Sequence, residues 1–96
     1  MTENLINIFD DCEKLVVEWR TWLRDHPAND IIMQHDAIRE LVFELDILTN
    51  DLVLMLYEYD QTEKYNAPSA LFDQYGLVRE KYANFFQLFT YLALRT

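Results

Sequence analysis

Nine carboxylates fall between Asp30 and Glu63 of this 96-residue chain, against a single base, Arg39. Glu44, Asp51 and Glu58 recur every seven residues, which on a helix sets them along one edge at about 10.5 Å intervals. Asp36, Glu40 and Glu44 recur every four, with no base at the matching positions. Like charges so placed repel by about 0.2–0.5 kcal/mol per pair, a small cost. Such a row can do two kinds of chemistry. It can hold a divalent cation, or it can offer acceptors to the Lys and Arg of a basic partner and steer its approach. A Mg²⁺-dependent helical hydrolase built on Glu40, Glu44 and Asp46 needs a second acidic helix, and the sequence supplies none. The row reads as a surface for a basic protein, with plain solvation of the helix as the competing account.

The other reactive side chains do not converge. His26 and His35 have no Glu or second His at a metal-binding spacing, so neither metal nor cofactor is expected. Cys12 lies within an apolar stripe, where a buried thiol is the ordinary case. Gly76 is the only glycine, so no Gly-rich loop can cradle a phosphate. Arg20 and His26 share the loose spacing of HEPN-type ribonucleases, but capping of a helix C-terminus by two cations accounts for them more simply. Without a convergent catalytic set the chain reads as a non-enzyme. Nucleic acid is an equally poor ligand for it. Eight Lys and Arg face seventeen Asp and Glu, and Arg79 and Lys81 beside Tyr75 and Tyr82 form the only basic-aromatic cluster.

The elements that carry these residues are legible in the apolar pattern. Leu, Ile, Val and Phe supply 31 of the 96 residues, while one Gly and two Pro leave too few turn residues for many short strands. A single Cys fits a reducing compartment. Breaks at His26-Pro27-Ala28-Asn29 and Tyr65-Asn66-Ala67-Pro68-Ser69 divide one domain, 1–96, into helices over roughly 3–25, 30–64 and 69–94. Each has an alternating four-three period. The series are Leu5, Phe9, Cys12, Val16, Trp19, Leu23; then Ile38, Leu41, Leu45, Leu48, Leu52, Met55, Tyr59; then Leu71, Tyr75, Val78, Tyr82, Phe85, Phe89, Leu92. Thr2, Asp30 and Ser69 are the expected N-caps. The fold class is all-α, a three-helix antiparallel bundle with a long central helix.

That central helix carries both the charge and a second anomaly. Residues 1–29 hold a net −3, residues 30–63 a net −8, and residues 64–96 a net +2. Over 35 residues the helix would reach about 50 Å, overhanging its neighbours. Thr49-Asn50-Asp51 could break it, but the apolar step from Leu48 to Leu52 keeps phase and favours continuity. From Leu52 to Tyr59 it is apolar nearly all round, and a helix apolar on every side needs cover on every side. This predicts a two-fold homodimer through Leu52, Val53, Leu54 and Leu56, with Phe86 of the third helix. The alternative is a fourth helical piece from the 50s folding over a monomer.

No segment approaches the roughly 20 apolar residues of a membrane span, and Met1-Thr2-Glu3-Asn4 lacks a basic leader, so a cytoplasmic protein is expected. In size and charge the chain is similar to bacterial immunity proteins, phage-encoded inhibitors and DNA mimics, although no motif carries that likeness. The functional expectation is a small acidic inhibitor or adaptor. Its partner surface comprises Asp36, Glu40, Glu44, Asp51 and Glu58, with Tyr57 and Tyr59 as apolar anchors, and it could imitate the charge of DNA. The alternative is an assembly subunit joined to a larger complex through the apolar second half of the central helix.

Overall fold

The computed structural model describes residues 8–27, 30–59 and 67–95. Three helices account for most of them: α1, Ile8–Asp25; α2, Asp36–Glu58; and α3, Ser69–Arg95, with a 3-10 turn at Ile32–Gln34 before α2. No strand occurs among the described residues. Leu5 and the proposed cap Thr2 lie outside them.

The inner seams repeat by seven. Ile38, Leu45 and Leu52 of α2, and Leu71, Val78 and Phe85 of α3, are all buried, the spacing that lets two helices pack at a shallow angle over several turns. From α1 come Ile8, Phe9, Cys12, Leu15, Val16 and Trp19. Leu41, Leu48, Met55 and Tyr59, with Tyr75, Tyr82, Phe89 and Leu92, pack around this core as half-buried support. A seam residue therefore alternates with a shoulder residue, as the four-three period requires.

Cross-links fix the chain directions. Glu44 meets Lys81, and the Leu48 carbonyl accepts from Gln74 Nε2 at 3.0 Å, so α2 and α3 run oppositely. Trp19 Nε1 donates to Asp46 Oδ1 at 3.0 Å, while Val16 and Arg20 share a groove with Val53 and Tyr57, so α1 and α2 are also antiparallel. Trp19 lies against Tyr82 and Trp22 against Phe89, which leaves α1 and α3 parallel. The arrangement is up-down-up.

α2 is shorter than its sequence pattern implied. Asp30 does not cap it. Asp30 Oδ1 accepts from the Ile32 amide at 2.9 Å, an Asp side chain bonding two residues on, which closes a turn rather than opening a long helix. The 3-10 turn follows and buries Met33. His35, in extended conformation, is the true cap: its Nδ1 accepts from Ala37 N–H at 3.3 Å. At the other end Tyr59 has φ −91° and ψ 147°, already outside the helical region. The inner apolar series also has Tyr59 as its last member. The expected continuation through residues 60–64 lies outside the described residues. α2 thus spans 23 residues, about 35 Å, without a break at Thr49-Asn50-Asp51. Among the described residues the longest helix is α3, with 27 residues, so the central helix does not show the expected overhang there. Ser69 is the first residue of α3 rather than its cap, and the Pro68 carbonyl accepts from Leu71 N–H.

No helix among the described residues is long and apolar enough to cross a membrane.

Candidate functional site

α2 has two apolar faces. The inner one, centred on Leu45 and Leu52, fills the core. Opposite it Phe43, Ile47, Leu54 and Tyr57 stand in solvent, 67%, 47%, 63% and 84% exposed. With Asn50 they follow the steps four, three, four, three, and so form a second straight seam about 21 Å long. At its C-terminal end the seam meets a shallow groove of about 270 Å³ between α1 and α2, lined by Val16, Val17, Arg20, Val53, Leu56 and Tyr57. Val17 is itself exposed, so the apolar surface continues onto α1.

The carboxylates run beside this seam. At 100° per residue Glu40, Asp51 and Glu58 lie about 60–80° round the helix from its centre line, all on the same flank, and Asp36 continues the seam one heptad toward the N-terminus. All four are exposed, and none makes an ion pair with a described residue. Glu44 differs. It is half-buried and holds Lys81 Nζ at 2.8 Å, so its charge is matched within the protein. Asp46, on the other flank, accepts from Trp19.

The expected anchors separate in the same way. Tyr57 projects into solvent, whereas Tyr59 is half-buried and packs on the core. Of the residues expected to join two copies, Leu52 and Leu56 are buried inside the protomer. Leu52 is wholly enclosed in the core, and Leu56, which floors the groove between α1 and α2, is only 8% exposed. Val53 is partly buried along the groove, and Leu54 is exposed. Phe86 packs edge-on against Tyr82 at 4.8 Å and Trp22 at 5.9 Å between α1 and α3, away from the outer face of α2. The structure therefore brings Leu54 and Tyr57 together with Asp51 and Glu58, and leaves Leu52, Leu56, Tyr59 and Phe86 elsewhere. Phe43, Ile47 and Asn50 are members of this exposed seam that reading the sequence missed. Their signal was present: they are the apolar-phase positions left over once the inner seam is assigned.

The remaining reactive groups have structural occupations. His26 stacks on Trp22 with ring centroids 4.1 Å apart. Its Nδ1 lies 3.0 Å from the Trp22 carbonyl oxygen, which can only accept, so that nitrogen carries the proton. Burial, with Asp11 and Glu13 adding to it, pushes the Cys12 thiol up to about 12, far from the range of a nucleophile. Tyr82 is raised by burial and by Glu18. Among the described residues no group of three or more His, Cys, Asp or Glu could hold a metal ion. Between α1 and α3 lies a second cleft of about 370 Å³, where Lys14 and Arg79 face Asp11 and Glu18. Its charges offset one another, and Arg79 already donates to the Tyr75 hydroxyl at 3.2 Å.

Comparison of the chain with protein-family profiles, with curated proteins and with solved structures finds no match.

Proposed function

We propose that this protein is a non-enzymatic interaction protein, an inhibitor or adaptor that binds a basic protein partner through the outer face of α2. One observation carries the reading: exposed carboxylates at positions 36, 40, 51 and 58 border a solvent-exposed apolar seam on the same helix. Carboxylates alone are explained by solvation, and scattered surface apolar residues need no explanation. An ordered seam bordered by charge unmatched among the described residues is the pattern of an interface, with a desolvated centre and an electrostatically complementary margin. Imitation of DNA is weaker as a mechanism, since the Glu44–Lys81 pair removes one member of the evenly spaced row.

The test is capture of partners from the source cell lysate on immobilised protein, washed at low and then high salt. A basic protein released by salt, and lost from a Glu40→Lys, Asp51→Lys, Glu58→Lys variant that keeps its helicity, is the expected result. Retention by that variant would refute the carboxylate assignment. The second reading, a subunit joined to a larger complex through the apolar surface, is favoured by the exposure of Leu54 and Tyr57. It predicts salt-resistant capture that Leu54→Glu abolishes.

A further inference from the structure

We infer that the element seated on α2 is itself an α-helix, with an apolar heptad seam and Lys or Arg along one flank. This rests on the basic-partner reading above and specifies its occupant. Phe43, Ile47, Asn50, Leu54 and Tyr57 keep the 3.5-residue repeat across two heptads of an unbroken helix, and the surface complementary to such a row of knobs is the row of holes on a second helix. A strand or an extended peptide presents side chains every second residue and matches that spacing poorly. The contact length of about 21 Å corresponds to roughly 15 residues, or four turns.

Charge then decides between the possible helices. With Glu44 matched by Lys81, a second copy of α2 would bring Asp36, Glu40, Asp46, Asp51 and Glu58 with Arg39 against the same set, a net −4 facing −4. Two faces of the same sign repel, most strongly where the acidic flanks of the two copies meet, and like charges across an interface are a means of excluding partners. A helix with bases on one flank instead meets Glu40, Asp51 and Glu58 on the acidic side. On the opposite flank it meets Arg39, Asp46 and Val53, a mixed edge that attracts no strong charge. Asn50 adds a register mark. A polar residue in an otherwise apolar seam costs affinity unless the facing residue can bond to it, so it selects one alignment of the two helices. The occupant thus has Asn, Gln or Thr near the middle of its seam.

The experiment uses two labelled synthetic peptides of about 18 residues, identical in composition. One places Leu at seam positions with one central Asn and Lys along one flank. The other has the same residues scrambled so that no seam forms. Binding is followed by fluorescence anisotropy at low and high salt, and helix formation by circular dichroism. The seam peptide is expected to bind at least about tenfold more tightly than the scramble and to gain helicity. Phe43→Ser with Leu54→Ser is expected to remove that preference while the protein stays folded, since both positions are exposed. Equal binding of the two peptides would overturn the helix assignment and leave the basic-partner reading standing. Failure of both to bind at low salt would overturn that reading as well. Sedimentation of the free protein as a dimer that Leu54→Ser dissolves would show that a second copy covers the seam, against the inference.

Discussion

Two side chains in the core illustrate how position overrides chemical type. Cys12 could be a nucleophile by identity, yet burial holds its thiol near 12, so the thiolate fraction at neutral pH falls about a thousandfold below that of a free thiol. The folded protein is expected to resist a thiol-specific reagent at pH 8 and to react fully in urea. Rapid labelling of the folded form would mean that the α1 seam opens. Thr49 is the polar exception in the inner seam of α2, fully buried with its hydroxyl unbonded. An orphaned buried hydroxyl costs about 1–3 kcal/mol. Thr49→Val keeps the shape and removes the unmet group. It is expected to stabilise the fold by about 1 kcal/mol, a rise of about 4–8 °C in Tm for a domain of this size. A fall in Tm would show that the hydroxyl has a partner.

At the scale of the element, α2 shows what periodicity reveals and what it hides. The inner seams were legible because Ile38, Leu45, Leu52 and their counterparts on α1 and α3 keep one phase through each helix. The ends of α2 were less so. Asp30 has the chemistry of a cap, and only its bond to the Ile32 amide shows that it closes a turn; nothing between Tyr59 and Lys64 breaks a helix by type. The outer seam was hidden for a different reason. Two apolar stripes on opposite sides of one helix sum to a helix that looks apolar all round, so Leu52 to Tyr59 reads as uniformly sticky. The structure separates that segment into residues with opposite roles. Leu56→Glu places a charge in the core and is expected to unfold the protein, with a loss of at least about 3 kcal/mol. Leu54→Glu, two residues away, is expected to leave stability within about 0.5 kcal/mol and to alter only association. Denaturant melts of the two variants distinguish these outcomes, and equal destabilisation would contradict the assignment of inner and outer faces.

For the molecule as a whole, the three-helix fold follows from three periods and two breaks. The function does not, because on the reading proposed above it depends on what lies against the outer face of α2. The charge total of −9 could not say which carboxylates are matched; that required the fold to set Lys81 beside Glu44. The two-faced helix has one more consequence, for the way the chain reaches its native state. Turned half a revolution about its own axis, α2 would offer Phe43, Ile47, Leu54 and Tyr57 to α1 and α3 in place of Ile38, Leu45, Leu52 and Leu56, with hydrophobic content of the same order. A folding chain thus meets two competing basins that hydrophobicity alone separates poorly, the condition of a frustrated landscape. What distinguishes them is polar: Glu44 to Lys81, Asp46 to Trp19, and the Leu48 carbonyl to Gln74. Each bond closes only when α2 has turned the right way, so these three contacts, each modest in energy, select the rotation of the central helix.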